Sequence, residues 1–188
     1  MLRHLKARRP VDKGIGWPVF LFGAIEFIYV ALAGRLLIDG SILLTLSLAA
    51  TIGPVINAIY NFFYGSYLSW VGSWFGGKAN TDQARLALAW SKVPLIWSFL
   101  FTFPPIILLI NLSKTGVDIH EWETVYSLTI LSLEVIWALF GLFSLVLTVV
   151  TLAEVHEFSV NKALLTLATG FVIATIPFFC MITLILYN

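Results

Sequence analysis

Five long apolar runs constrain this chain more than any other feature of its sequence. The chain has 188 residues, of which 60% are hydrophobic and only 11% are charged. A bilayer core about 30 Å thick is crossed by a helix of about 20 apolar residues, and each run is long enough for that. The sequence therefore predicts an all-α integral membrane protein, a bundle of five transmembrane helices forming a single domain over residues 1–188. The predicted spans are residues 16–36, 41–72, 86–111, 124–152 and 163–186.

The distribution of lysine and arginine between the loops predicts the orientation of these spans. Nine such residues fall on one side: five in a basic arm of residues 1–15, then Lys78, Arg85 and Lys92, and finally Lys162. Two, Arg35 and Lys114, fall on the other side. Because cytoplasmic loops carry an excess of basic residues, we expect a cytoplasmic N-terminus and a C-terminus outside. Topology alone accounts for the charge of the arm, and a net charge of +1 gives no reason to expect a nucleic acid partner.

Two glutamates stand alone within the apolar runs, Glu26 in the first and Glu134 in the fourth. A charge at the bilayer centre costs roughly 2.5 to 3.5 kcal/mol, so an acid there marks a candidate functional site. In span two, Asn57 and Asn61 lie one turn apart on a polar stripe. Two hypotheses stay open for these four residues: an intramembrane site for a proton, a cation or a polar ligand, or simple hydrogen bonds between helices. Helical periodicity also predicts that the polar stripe from Glu134 to Thr151 faces the bundle interior.

A second group of candidate residues lies at the predicted cytoplasmic face. Glu154, His156 and Glu157 end span four, while Lys78 and Asp82 lie in the connection after span two. An imidazole and carboxylates are able to bind a metal, but the ligand spacing of known metal sites is absent, which favours a solvated polar turn. No nucleotide-binding, redox or metalloprotease motif is recognisable. We therefore expect no enzyme, no metal and no cofactor.

Small residues and prolines give two further predictions. Gly72 and Gly76 form a small-xxx-small pair that permits close approach of helices, so this face is a candidate homo-oligomer interface. Pro94 and the pair Pro104 and Pro105 are predicted to interrupt span three. Broken helices are common in transporters and are also tolerated in packed bundles.

Two polar connections together resemble the Yip membrane family. The first contains the string Gly-Gly-Lys-Ala-Asn-Thr at residues 76–81, followed by the start of an amphipathic helix for which Asn80 or Thr81 is the predicted cap. The second is the acidic, histidine-containing turn within residues 153–163. The resemblance implies a five-helix membrane protein. The chain resembles the prokaryotic branch in particular. Eukaryotic members, which interact with Rab GTPases, carry Asp-Leu-Tyr-Gly-Pro before the first span, whereas this chain has Gly-Trp-Pro at residues 16–18, so the resemblance does not extend to Rab binding or vesicle traffic.

These observations lead to two functional hypotheses. The first is a membrane-organising or partner-binding module of the cell membrane, with membrane lipids, a cytoplasmic protein and a second copy of the chain as candidate partners. The alternative is a small-molecule, proton-coupled or lipid transporter that uses the intramembrane carboxyls. The two differ in whether Glu26 and Glu134 face one hydrated cavity.

Overall fold

The computed structural model describes residues 16–34, 41–113 and 119–187, which form six α-helices. No strand occurs among these residues, so the predicted all-α class is confirmed. The basic arm lies outside the described residues, as do Arg35 and Lys114. The helices are α1 (Trp17–Gly34), α2 (Ile42–Trp74), α3 (Thr81–Ser91), α4 (Val93–Ser113), α5 (Ile119–His156) and α6 (Val160–Tyr187).

Three helical stretches are long and apolar enough to cross a bilayer, namely Leu43–Trp74, Thr81–Asn111 and Glu123–His156. Two shorter apolar helices, Trp17–Leu32 and Val160–Ile176, correspond to the first and fifth predicted spans within the described residues. Many leucine, valine and phenylalanine side chains along the helices are more than half exposed, as expected for surfaces that face lipid. The helical membrane character is therefore supported, while the count of five spans and the orientation stay predictions.

The third predicted span consists of two helices. α3 and α4 meet at Lys92, which lies in the turn between them. Pro94 lacks the N–H that a continuous helix would use at its position, so the helix breaks just before it. The predicted interruption at Pro104 and Pro105 is wrong, because α4 runs through both residues. Membrane helices tolerate proline where neighbouring groups satisfy the freed backbone carbonyls.

The described residues form two compact units, here called the first and the second unit. The first unit contains residues 62–88 and 147–187. The second contains residues 16–34, 41–61 and 89–146, apart from the undescribed segment near residue 116. α2, α3 and α5 each contribute residues to both units.

The first unit has an apolar core drawn from α2, α3, α5 and α6. Leu68 and Leu152 are completely buried in it. One polar bond accompanies the apolar packing, because the Tyr67 hydroxyl donates to the Gly170 carbonyl oxygen at 2.7 Å and so joins α2 to α6. The buried core residues are Leu68, Leu88, Val149, Leu152, Ala153 and Ala163.

The second unit is held together by packing of α1 against α4. The ring of Phe99 on α4 lies 5.7 Å from the ring of Tyr29 on α1 and 5.1 Å from that of Trp137 on α5, measured between centroids. Tilted and edge-to-face ring pairs of this kind add about 0.5 to 1.5 kcal/mol each beyond their buried area. The three rings therefore fix α1, α4 and α5 around one aromatic centre.

Candidate functional site

Three side chains from separate parts of the second unit form a bonded polar group, here called the Lys92 cluster: Glu26 on α1, Asn57 on α2, and Lys92. Asn57 Nδ2 donates to Glu26 Oε2 at 3.5 Å, and Lys92 Nζ donates to Asn57 Oδ1. Asn57 is 5% exposed and Lys92 is 8% exposed, so the bonds are largely shielded from the surroundings. The amide bridges a carboxyl and an ammonium, and these bonds join α1, α2 and the turn between α3 and α4.

Two aromatic rings complete the surroundings of the Lys92 ammonium. Its nitrogen lies 5.2 Å from the ring centroid of Phe22 and 5.1 Å from that of Tyr60. Both distances fall within the roughly 6 Å over which an aromatic face attracts a cation. The orientation prediction treated Lys92 as an exposed loop residue, but only its backbone lies in a turn, and its head group is buried between an amide and two rings.

A close crossing of α1 and α2 positions the cluster. A Cβ added to Gly23 would lie 2.5 Å from the Gly53 carbonyl oxygen, and one added to Gly53 would lie 2.2 Å from the Gly23 carbonyl oxygen. Backbone atoms cannot turn aside, so only glycine allows the helices to approach this closely. Glu26 and Asn57 each lie about one turn beyond the crossing, which brings their side chains within reach of one another.

The other predicted intramembrane residues lie outside this bonded group. Asn61 is completely buried, and neither atom of its amide has a hydrogen-bond partner in the described part of the chain. Glu134 is exposed on α5. The predicted inward stripe of span four is correct for Ser144 and Thr148, which are buried, and wrong for Glu134. A stripe a third of the circumference wide reaches from the packed side of a helix to its open side, and Glu134 lies at the open edge.

In the first unit, α2 and α5 end with the same backbone geometry. At the end of α2, the Gly77 N–H donates to the Gly72 carbonyl oxygen at 3.0 Å, and Gly76 has a φ of 82°. α5 ends in the corresponding arrangement around Glu157, which has a φ of 58°. Both are Schellman motifs. A left-handed backbone conformation is uncommon for a residue other than glycine. The contacts of Glu157 therefore stabilise its backbone in this conformation.

The imidazole of His156 fills the space between these two helix ends and is completely buried. A Cβ added to Gly72 would lie 2.4 Å from its Cε1 atom, and one added to Gly77 would lie 2.1 Å from its Nδ1 atom. The ring stacks on Phe158 with 4.9 Å between centroids and 6° between planes. Gly72 is therefore packed within its own chain, and the prediction that the Gly72 and Gly76 face is free to form an oligomer is wrong at Gly72.

Polar contacts also join the connection between α2 and α3 to the connection between α5 and α6. The Lys78 N–H donates to the His156 carbonyl oxygen at 3.1 Å, and Lys78 Nζ lies 3.5 Å from Glu157 Oε2. Lys162 Nζ donates to the Phe75 carbonyl oxygen at 3.0 Å. We call Lys78, His156, Glu157 and Lys162, with the two glycines around the imidazole, the clasp. Exposed ion pairs add at most about 1 kcal/mol to stability. The buried imidazole and the hydrogen bond from the Lys78 N–H therefore stabilise the clasp more than the ion pair does.

The connection between α2 and α3 is also stabilised at the end where α3 begins. Asn80 Oδ1 accepts from the Gln83 N–H at 2.8 Å, while the Asn80 N–H donates to Gln83 Oε1 at 3.0 Å. This reciprocal capping box confirms the predicted cap at Asn80. Arg85 then joins α3 to α2 by donating to the Phe62 carbonyl oxygen at 3.1 Å, and it also bonds Asp82 at 3.1 Å.

The residues predicted at the cytoplasmic face therefore divide into two sets. Lys78, His156 and Glu157 come together in the clasp, whereas Asp82 pairs with Arg85. Glu154 is half-buried on α5, with its backbone oxygen accepting from the Glu157 N–H at 3.3 Å. Within the described part of the chain, no three histidine, cysteine or acidic side chains lie close enough together to hold a metal ion. The contacts of the clasp are a buried imidazole, backbone hydrogen bonds and one ion pair.

Comparison with protein-family models gives a match over most of the chain. A family model described as the Yip1 domain matches residues 2–182, which include both the Lys92 cluster and the clasp. No curated protein and no solved structure matches the chain significantly. Because the match covers almost the whole chain and the helices have membrane-spanning length and composition, this chain belongs to the Yip1 domain family and is an integral membrane protein.

Proposed function

We propose that this chain is a non-enzymatic, multi-pass module that organises its membrane by presenting a fixed surface to a protein partner. The observation that carries the proposal is the clasp, which holds the connection between α2 and α3 against the connection between α5 and α6. The distribution of basic residues favours a cytoplasmic location for both connections. We also infer five spans and a location in a prokaryotic cell membrane. Membership of the Yip1 domain family supports a role in membrane organisation.

The surface around the clasp is exposed and chemically mixed. The side chains of Lys78 and Glu157 are 75% and 46% exposed, and Ser159, Asn161 and Lys162 are also exposed. A loop that is already ordered loses less conformational entropy when it binds than a mobile loop does. Charges of both signs together with neutral polar groups suit a polar protein surface. The clasp therefore supports recognition of a cytoplasmic protein partner.

The transport hypothesis receives less support from the same contacts. It requires Glu26 and Glu134 to act in one hydrated site, yet Glu134 is exposed on α5 and Glu26 is bonded to Asn57. Asn57 in turn accepts a bond from Lys92. A cluster whose polar groups pair with one another fits the role of hydrogen bonds between helices. The Lys92 cluster is accordingly proposed as a structural support for the module.

Site-specific photocrosslinking in native membranes tests this proposal. A photoreactive amino acid at Ser159, which is exposed beside the clasp, is expected to give a discrete protein adduct. The same amino acid at Phe171, which is 67% exposed on the apolar surface of α6, serves as the matched control and is expected to label lipid. Equal protein labelling at the two positions, or no protein adduct at Ser159, would contradict the proposal.

A further inference from the structure

The imidazole of His156 is a titratable group in a completely buried position. His156 is the last residue of α5 and lies beyond the fourth predicted span, which ends at residue 152. Neither ring nitrogen has a hydrogen-bond partner among the residues that the structure describes. A neutral imidazole has one donor and one acceptor, whereas an imidazolium has two donors and a positive charge. The charged form therefore loses more solvation in this position than the neutral form does.

The carbonyl groups at the two helix ends beside the ring are bonded to backbone donors. A helix C-terminus ordinarily favours a nearby cation through its last carbonyl groups. Here the Gly72 carbonyl oxygen accepts from the Gly77 N–H at 3.0 Å, and the Ala153 carbonyl oxygen accepts from the Phe158 N–H at 3.2 Å. Neither carbonyl oxygen bonds the imidazole. Burial is therefore the larger effect, and it lowers the pKa of the imidazole.

The charged side chains of the elements that meet at the clasp leave the ring without a bonded counter-charge. Lys78 and Glu157 pair with each other, and Lys162 donates to a backbone oxygen. On α3, Asp82 and Arg85 bond each other. None of these side chains bonds a ring nitrogen, and neither does the carboxyl of Glu154 on α5. Protonation therefore places an uncompensated charge in a buried position.

The end of α2 packs directly on the ring. Gly72 and Gly77 approach it so closely that neither position has room for a Cβ, and Phe158 stacks on it. An imidazolium gains solvation only if water reaches it. Water reaches the ring only if the end of α2 or Phe158 moves away. A proton on the imidazole therefore favours an open clasp.

We propose that His156 makes the clasp a pH-sensitive switch, in which protonation of the imidazole separates the end of α2 from the end of α5 and removes the ordered partner surface. Only the last of these steps rests on the proposed function. An exposed imidazole has a pKa of about 6.5, and the buried imidazole has a lower one, so the open clasp binds the proton more strongly. The closed clasp keeps its full stability above about pH 6.5 and loses it as the pH falls below that value.

The first test follows the clasp without any partner, by electron paramagnetic resonance distances in liposomes. Spin labels are attached through cysteines at Ser73 and Asn161, which are exposed at the end of α2 and the start of α6, after Cys180→Ala removes the natural cysteine. The distance distribution is expected to be narrow at about pH 7.5 and to gain a longer component towards about pH 5. The ratio of open to closed clasp is expected to rise by up to about tenfold per pH unit below about pH 6.5, the limit for one proton.

Matched variants assign this response to one imidazole. The chain has three histidines, and the double variant His4→Gln, His120→Gln retains His156 alone. It is expected to keep the response, and the magnetic resonance signal of its single imidazole is expected to titrate over the same pH range. His156→Phe keeps a flat ring but takes up no proton, so its distances are expected not to change with pH. If His156→Phe fails to fold, the double variant decides the question.

A second readout separates this inference from the proposed partner. The yield of the Ser159 photoadduct in the double variant is expected to fall as the clasp opens. Distances that do not change with pH, a change without titration of the imidazole, or an equal change in folded His156→Phe would overturn the switch. A constant adduct yield while the clasp opens would overturn its last step. An adduct absent at every pH would contradict the proposed function, while the distances would still decide whether the clasp opens.

Discussion

Replacing Gly72 with alanine gives the sharpest prediction about the clasp. The added Cβ would lie 2.4 Å from His156 Cε1, about 1 Å closer than an ordinary van der Waals contact. The imidazole cannot turn aside easily, since it is completely buried and stacked on Phe158. Overpacking of this kind costs about 1 to 3 kcal/mol. We expect Gly72→Ala to lower the free energy of unfolding by that amount, measured by denaturant titration of the purified protein in detergent micelles.

The matched control is Gly170→Ala in the same unit, where an added Cβ would make ordinary contacts at 3.4 Å. It is expected to leave stability unchanged or to raise it slightly, because alanine favours a helix over glycine. A double-mutant cycle with His156→Ala assigns the cost to the imidazole, and the coupling energy is expected to be about 1 kcal/mol or more. Equal effects of Gly72→Ala and Gly170→Ala, or additive effects in the cycle, would refute the described packing.

Three further predictions concern the second unit. Gly53→Ala is expected to disrupt the crossing of α1 and α2 and to lower stability by about 1 to 3 kcal/mol, because the added Cβ would meet a backbone oxygen at 2.2 Å; thermal unfolding in detergent checks this. Lys92→Met is expected to cost about 1 to 3 kcal/mol, since it leaves the buried Asn57 oxygen without its donor, whereas Lys162→Met at an exposed position is expected to cost less in the same assay. In proteoliposomes, wild type and Glu26→Gln are expected to give the same proton, cation and lipid flux as empty liposomes. A wild-type flux that a folded Glu26→Gln variant loses would establish the transport hypothesis instead.

The sequence was most informative where one physical constraint dominated. Bilayer thickness predicted the long apolar helices, and α2 and α5 extend only a few residues beyond their predicted spans. Cap chemistry predicted Asn80 or Thr81 as the start of a helix, and the bonds between Asn80 and Gln83 assign the cap to Asn80. The bond between Asn57 and Glu26 corresponds to one of the two alternatives left open for these residues, hydrogen bonds between helices.

The sequence was least informative about residues whose role depends on the side of the helix they occupy or on the side chain they contact. Lys92 lies inside the span predicted from residue 86, and that position was the available signal for its burial. Its charge nevertheless led to its assignment as a loop residue. Glu134 was predicted to face inward because it shares a polar stripe with Ser144 and Thr148, but a stripe about a third of the circumference wide locates the packed side of the helix only coarsely. The burial of His156 depends on two glycines distant in sequence, and no local pattern reports such a contact.

Reversing the charges of the clasp tests the central claim most directly. The measurement is the yield of the Ser159 photoadduct in wild type, Lys78→Glu, Glu157→Lys and the double reversal. Each single reversal places like charges where Lys78 Nζ and Glu157 Oε2 now lie 3.5 Å apart. The yield is expected to fall by up to about fivefold, the range for an exposed ion pair. The double reversal restores the attraction and, if a fixed clasp presents the partner surface, restores the yield. Single reversals that lower the yield, with a double reversal that does not restore it, would contradict the claim.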